Sequence, residues 1–155
     1  MMKILIIEPP AVSKFGNQRI FGGNGSNKSD FRKPPLDLMM ISGYLRKKGF
    51  DNVLVDANAA RKNIDDINKI LKDEHPDVVF FSTSTCTIYK DLLVAKTAKE
   101  INPSIVTIAM GTHVMALPED TFKESEYLDA VIYSGDWEQA ALNIVKNLSN
   151  PENAN

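Results

Sequence analysis

Residues 77–82 read DVVFFS, a short apolar run that ends in a hydroxyl residue. A continuous run of this length is typical of a β-strand that is covered on both faces. Two further runs have the same character, KILIIE at 3–8 and IVTIAM at 105–110. With NVLVD at 52–56 and DAVIY at 129–133, they make a set of five predicted strands.

The segments between these strands have helical patterns. In one of them, Ile64, Ile67, Ile70 and Leu71 fall on a single helical face. Strands that alternate with helices predict an α/β fold, in which a parallel sheet carries helices on both faces. With right-handed crossovers, we expect a flavodoxin-like (Rossmann-like), doubly wound, five-stranded sheet with strand order 2-1-3-4-5. The predicted helices cover residues 35–48, 64–74, 88–101, 118–128 and about 137–149.

The bulk properties fit one compact domain. The chain has 155 residues and a net charge of −2, which provides no electrostatic footprint for nucleic acid. No apolar run approaches the roughly 20 residues that span a bilayer, so we expect no membrane partner. The single cysteine, Cys86, fits a reducing, cytoplasmic location. We predict a domain over 1–149, with a long loop at 9–33 that would act as a lid, and a disordered tail at 150–155.

The glycine-rich stretch GGNGSNKS at 22–29 resembles a phosphate-binding loop only in composition. Such a loop needs G-x-x-x-x-G-K-[ST] directly between a strand and a helix. Counted from Gly22, the second glycine position holds Asn27, and the run starts some fourteen residues after the first strand. We therefore interpret this stretch as part of the 9–33 loop.

Two common functions of the flavodoxin-like fold do not fit the strand ends. A phospho-receiver domain needs an aspartate at the end of the third strand, where this chain has Ser82. A flavodoxin needs a phosphate loop directly after the first strand. Pro9 and Pro10 stand there instead and donate no amide hydrogens.

The loops after strands 1, 3, 4 and 5 should meet at the carboxyl edge of the sheet, where ligands bind in this fold. Taken in order, these regions resemble the N-terminal cobalamin (B12)-binding domain of the B12-dependent radical SAM enzyme family. The matching segments are KILIIEPP, PPLDLMMISGYLRKKGFDNVLVDA, PDVVFFSTST, GTHVMALPED and DAVIYSGDWE. The sequence departs from the family pattern in two places. Thr112 stands where a second glycine is usual. Gly135-Asp136-Trp137-Glu138 stands where the family has Gly-Glu-Gly-Glu, so the bulky Trp137 takes the place of the second glycine of that motif.

The resemblance implies a cofactor-binding site built on the strand ends. A corrin needs small residues where it approaches the backbone, and hydroxyls or backbone groups that pair with its amides. Several alternatives stay open: the hydroxyls cap a helix, His113 only organises its turn, or Trp137 plugs the core. Met39 and Met40 are predicted to fill the core, and Cys86 to be a small buried residue. The candidate cofactor-binding residues are Pro10, Ser82, Thr83, Ser84, Thr85, Gly111, Thr112, His113, Ser134, Gly135 and Trp137.

The resemblance also implies what the chain lacks. A second cobalamin family carries D-x-H-x-x-G after the first strand, and its histidine ligates cobalt. No such motif is present, since Asp73-Glu74-His75 precedes the third strand. We therefore expect cobalamin to bind base-off, without a protein histidine on cobalt and with no protein metal ligand. The tail would enter a slot lined by Ser82, Ser84 and Gly111.

One cysteine cannot hold the 4Fe-4S cluster of a radical SAM domain, which needs three clustered cysteines. The chain alone is thus expected to carry a cofactor rather than to catalyse a reaction. S-adenosylmethionine and the cluster would belong to a catalytic domain, in cis or in trans, and the reaction would be methyl transfer. An isolated domain with an exposed apolar ligand face could form a homodimer. The alternatives are a flavodoxin-like interaction or sensory module that no longer binds corrin, and a small flavodoxin-like enzyme with another ligand.

Overall fold

The computed structural model of the chain describes residues 2–17, 19 and 32–150. Five parallel strands in this part of the chain form one sheet in the order β2-β1-β3-β4-β5, which confirms the predicted fold and strand order. The glycine-rich stretch at 22–29, about half of the predicted lid and most of the predicted tail lie outside the described residues. The strands are β1 (Ile4–Glu8), β2 (Asn52–Asp56), β3 (Val78–Thr83), β4 (Val106–Gly111) and β5 (Ala130–Ile132).

The helices follow the predicted order but are divided more finely. The predicted 88–101 helix is interrupted at Leu92, which keeps helical backbone angles, so the break is a local irregularity. Residues 112–116, predicted as a loop, form a short helix, and the 118–128 helix ends at Glu124 because Ser125 is extended. The described helices are α1 (Leu36–Lys47), α2 (Ile64–Glu74), α3 (Ile88–Asp91), α4 (Leu93–Ile101), α5 (Thr112–Ala116), α6 (Pro118–Glu124) and α7 (Trp137–Ser149).

The sheet has a helical layer on each face, and its central strands explain why. All five residues of β1 and all six of β3 are buried. Because successive side chains of a strand point to opposite faces, Ile6 and Phe80 belong to the cluster that includes α1 and α7. Ile7 and Phe81 belong to the opposite cluster, which includes α2 and α4.

Three residues predicted to be buried are exposed. Met39 and Met40 lie on the outer side of α1, 46% and 59% exposed. Cys86 is exposed in the turn after β3, so it does not fill the core. Among the described residues, the helices are all too short or too polar to cross a membrane.

Candidate functional site

The carboxyl ends of β1 and β3 lie next to each other in the middle of the sheet. The chain leaves β1 for β2 on one side and then returns to β3 on the other, so the strand order reverses here. In doubly wound folds, the crevice at this reversal is the usual place for a ligand. Glu8 ends β1 on one side of the crevice, and Ser82 lies near the end of β3 on the other.

Glu8 is a buried acid at this position, 4% exposed. One carboxylate oxygen, Oε1, accepts a hydrogen bond from Nη1 of Arg19 at 3.0 Å, and Oε2 accepts one from the Ser82 hydroxyl. Burial raises the pKa of Glu8 to about 6, although the charge of Arg19 and the Ser82 hydroxyl act in the opposite direction. The crevice therefore contains a carboxyl group with a pKa raised to about 6.

Arg19 fills the space between Glu8 and the first turn of α3, and its side chain is fully buried. Its Nη1 also donates to the carbonyl of Pro9 at 3.0 Å, and Nη2 donates to the carbonyl of Pro10 at 2.8 Å. Nη2 and Nε both donate to Oδ1 of Asp91, at 2.8 and 3.1 Å. All five N–H donors of the guanidinium thus have acceptors.

Burial alone would lower the pKa of Arg19, but the charges of Asp91 and Glu8 outweigh burial and raise it. The guanidinium is therefore a permanent positive charge inside the protein. We refer to Glu8, Arg19 and Asp91 as the buried triad.

Asp91 completes the triad from α3 and is 0% exposed. Its Oδ2 accepts hydrogen bonds from the backbone N–H of Ser84 at 3.2 Å and from the hydroxyl of Thr87. The triad consequently ties the chain that follows β1 to the turn that follows β3.

The hydroxyls at 82–85, predicted to face a corrin, are turned inward in three cases. Ser82 donates to Glu8, as described above. The Thr83 hydroxyl donates to the carbonyl of Met110 at 2.7 Å, and the Ser84 hydroxyl pairs with that of Thr87 at 2.8 Å. The side chains of Ser82, Thr83 and Ser84 are buried, whereas Thr85 is exposed.

Gly111 ends β4 beside Thr83 of β3. Its φ is +113°, and an added Cβ would lie 2.4 Å from the Thr83 carbonyl oxygen and 2.8 Å from its nitrogen. A side chain at this position would therefore collide with the neighbouring strand, so the sheet itself requires a glycine here.

His113 lies just beyond, in α5, and is 6% exposed. Its Nδ1 is 3.3 Å from the hydroxyl of Thr85. Its Nε2 is buried and has no hydrogen-bond partner in the described part of the chain. Buried polar atoms nearly always have partners, so this nitrogen is one of the few exceptions in the described part of the chain. Thr112, the residue before it, is half-buried.

The loop after β5 is the most open part of the edge. Ser134 and Gly135 are exposed, and an added Cβ on Gly135 would meet no atom within 4 Å. Asp136 caps α7 by accepting a hydrogen bond from the Gln139 N–H at 2.9 Å. Trp137 is half-buried and packs against the cluster that includes α1 and α7, consistent with its interpretation as a core plug.

A narrow cleft, with only about 10 Å³ of accessible space, runs into this edge from the side of α1. It brings together three of the predicted residues, Ser82, Gly111 and Trp137. Ser84, predicted to line the same slot, is not part of it, and Arg19, which was not predicted, forms one wall. The lining residues are Glu8, Arg19, Pro35, Asp37, Leu38, Ser82, Met110, Gly111 and Trp137.

The sequence contained a signal for the missed triad. Asp91 lies three residues after Ile88 and four before Ala95, both of which face the core. A carboxylate at a core-facing helical position requires a buried cation or donor. The identity of that cation, Arg19, follows from no local pattern.

The strand order and the crevice at its reversal define a flavodoxin-like fold. The sequence profile of the B12 binding domain matches residues 26–144, which is more than half of the chain. The chain therefore belongs to the B12-binding domain family.

Longer proteins contain similar sequences. An uncharacterized methyltransferase of Pyrococcus horikoshii is 34% identical over 132 residues, which are 85% of this chain and 26% of the relative. An anaerobic magnesium-protoporphyrin IX monomethyl ester cyclase of Rubrivivax gelatinosus is 34% identical over 113 residues, which are 72% of this chain and 20% of the relative. The chain thus spans about a quarter of the first relative and a fifth of the second.

Solved structures share the fold. The cobalamin-dependent S-adenosylmethionine radical enzyme OxsB, with aqua-cobalamin bound, superposes with a TM-score of 0.70 at 17% identity, over 96% of this chain and 19% of that one. A CheY-like protein, TadZ of Pseudomonas aeruginosa, gives a TM-score of 0.59 at 12% identity, over 97% of this chain and 95% of that one. At these identities, the likeness concerns the fold.

Proposed function

We propose that this chain is the cobalamin-binding module of a radical SAM-type enzyme, a methyltransferase, and that it binds the corrin at the carboxyl edge of the sheet. The membership of residues 26–144 in the B12-binding domain family is the observation that carries this proposal. The methyltransferase assignment is supported by the relative from Pyrococcus horikoshii. The proposed setting is the cytoplasm, with a radical SAM domain in cis or in trans.

The residues at the edge fit a corrin in their chemistry. Ser134 and Gly135, after β5, and Thr85, after β3, are exposed and leave room for a broad, flat ligand. His113 offers a buried Nε2 without a partner among the described residues, which suits an amide of the corrin rim. Thr112 and Pro10 are half-buried at the same edge and are proposed as contacts.

The positions of the two histidines support binding without a histidine on cobalt. His75 follows α2 and precedes β3, so it lies at the opposite, amino edge of the sheet. The Nδ1 of His113 is 3.3 Å from the Thr85 hydroxyl, and its Nε2 is the atom proposed to contact a corrin amide. We therefore propose base-off binding, with the nucleotide tail directed toward the cleft that contains Ser82 and Gly111.

Bound cobalamin would supply a cobalt centre that accepts a methyl group and passes it on. The residues of this chain would orient the corrin and cover one of its faces. S-adenosylmethionine and an iron–sulfur cluster are proposed for the catalytic domain, because this chain has one cysteine.

The test is cofactor retention. The purified chain is mixed with hydroxocobalamin, desalted, and examined by visible spectroscopy. We expect retained cobalamin with a base-off spectrum. Retention with a histidine-ligated spectrum would contradict the base-off proposal, and no retention at high cofactor concentration would overturn the binding proposal for this chain.

A matched pair of variants locates the binding edge. Ser134→Tyr adds a bulky side chain to the exposed loop after β5, and Ser104→Tyr makes the same change at the exposed residue before β4, on the amino edge. Ser134→Tyr should abolish retention, whereas Ser104→Tyr should leave it unchanged. Equal retention by both variants would place the corrin elsewhere.

The second candidate is a module of the same fold that no longer binds corrin. Two departures from the family pattern favour it: Thr112, in place of a second glycine, and Trp137, which packs into the core beside the cleft. The retention experiment separates the two candidates.

A further inference from the structure

Arg19 stands in the path that the cofactor tail would take. The cleft that opens to the strand ends between Ser82, Gly111 and Trp137 has the Arg19 side chain as one of its walls. In a narrow cleft, a bulky aromatic base can enter only if a wall moves. Gly111 is part of the sheet and Trp137 packs into the core. The Arg19 side chain lies at the end of β1, bound to Glu8 and to the Pro9 carbonyl, so a base that enters there would have to displace it.

Arg19 is held more firmly than an ordinary cleft residue. Its five donors bind two carboxylates and two carbonyl oxygens, and its side chain is completely buried. If the guanidinium left this place, Glu8 and Asp91 would remain as buried acids without their shared cation, which is strongly unfavourable. Any ligand that must enter the cleft would therefore bind more weakly, by the free energy that is needed to displace Arg19.

That cost is selective among corrinoids. A corrinoid that carries a nucleotide tail would have to displace Arg19, whereas cobinamide, which has the same ring without the nucleotide, would rest on the strand ends and leave Arg19 in place. Resting on the proposed function, we propose that Arg19 is a specificity-determining residue: held by Glu8 and Asp91, it closes the tail cleft and discriminates against corrinoids with a nucleotide tail.

The experiment compares two probes, hydroxocobalamin and aquahydroxocobinamide, by equilibrium titration followed in the visible spectrum. The wild-type chain is compared with the triple variant E8Q/R19M/D91N, which removes all three charges together and leaves no uncompensated buried ion. We expect its affinity for cobalamin, relative to that for cobinamide, to rise by roughly tenfold or more, since a hydrogen bond to a charged group is typically worth at least that factor. The affinity of the triple variant for cobinamide should stay within about threefold of the wild-type affinity, because cobinamide does not displace Arg19.

A single substitution gives an independent readout if the triple variant folds poorly. Arg19→Lys keeps the charge but offers a single nitrogen in place of the planar guanidinium, so the lysine side chain should be displaced more readily. The affinity for cobalamin relative to that for cobinamide should therefore rise in this variant too. The matched control is Arg46→Lys, in the last turn of α1, where the exposed Arg46 donates to the carbonyl of Asn52 at the amino edge. This control should leave both affinities unchanged.

Two results would overturn the inference while leaving the proposed function intact. One is an equal change in the two affinities, which would make Arg19 a structural residue. The other is a selective loss of cobalamin affinity in the Arg19 variants, which would mean that Arg19 holds the tail. Failure of the wild-type chain and the variants to bind either corrinoid would overturn the proposed function and this inference with it.

Discussion

Gly111 and Thr83 face each other across β4 and β3 so closely that a Cβ on Gly111 would lie 2.4 Å from the Thr83 carbonyl oxygen. The contact is with backbone, which cannot move without shifting the central strands. The glycine that the resemblance connects with cofactor binding is thus already required by the fold.

Gly111→Ala should therefore destabilise the protein in the absence of any ligand. We expect a loss of about 3 kcal/mol in the free energy of unfolding, because the new side chain meets both a left-handed φ and a steric collision. Urea unfolding measures it. Gly43→Ala is the control: this glycine lies inside α1 with no atom within 4 Å of an added Cβ, so stability should rise by up to about 1 kcal/mol. Equal effects of the two substitutions would contradict the steric argument.

The raised pKa of Glu8 predicts a pH dependence of stability. Its pKa is about 6 in the folded protein, compared with 4.5 as the ordinary value. The folded state thus binds this proton more tightly than the unfolded state, so the contribution is fully present below pH 4.5 and is lost as the pH rises through 6. Over this interval it amounts to about 2 kcal/mol.

Glu8→Gln tests this contribution because it cannot titrate. Urea unfolding at several pH values between 4.5 and 7.5 should give a wild-type free energy that falls with rising pH relative to that of the variant. Parallel pH profiles for the two proteins would show that Glu8 does not have a raised pKa.

His113 should contribute to cofactor retention through its Nε2. Replacing it by alanine removes one hydrogen bond to the proposed corrin amide, so we expect the dissociation constant for hydroxocobalamin to rise by about tenfold, or about 1.4 kcal/mol. His75→Asn is the control, since His75 lies at the amino edge with φ of +47°, a conformation that asparagine tolerates. If the two variants bound cobalamin equally well, His113 would have only a structural role.

Asn58 should stabilise the position of the segment that follows β1 through hydrogen bonds to Asn17. Its side chain, 1% exposed, accepts a hydrogen bond from the Asn17 N–H at 3.0 Å and donates one to the Asn17 carbonyl at 2.6 Å. Asn58→Ala removes both bonds and should lower the free energy of unfolding by about 2 kcal/mol.

Hydrogen exchange provides the local readout for this substitution. Exchange at the Val12 and Asn17 amides, both bonded within this network, should speed up in Asn58→Ala. The exposed Asn143, whose side chain bonds only Gln139 among the described residues, provides the control: Asn143→Ala should change stability by less than about 0.5 kcal/mol. Unchanged amide exchange in Asn58→Ala would refute the tethering role.

The sequence predicted the sheet because its strands have clear local patterns, such as the apolar runs that became β1 and β3. It also predicted that the loops after these strands lie at one edge of the sheet, since the carboxyl ends of parallel strands must meet. It did not predict that Ser82, Thr83 and Ser84 point inward, because the direction of a hydroxyl depends on neighbours such as Glu8 and Met110 that are distant in sequence. The triad was missed for the same reason: Arg19 and Asp91 are 72 residues apart.

The buried triad has a consequence for how this protein can change over generations. Loss of Arg19 alone would strand two acids in the interior, and loss of Asp91 alone would leave a guanidinium without its main acceptor. Each single replacement is thus harmful, while the three together can be exchanged for neutral residues at little cost. Positions 8, 19 and 91 should therefore be inherited as a set, so that related chains carry all three charges or none of them.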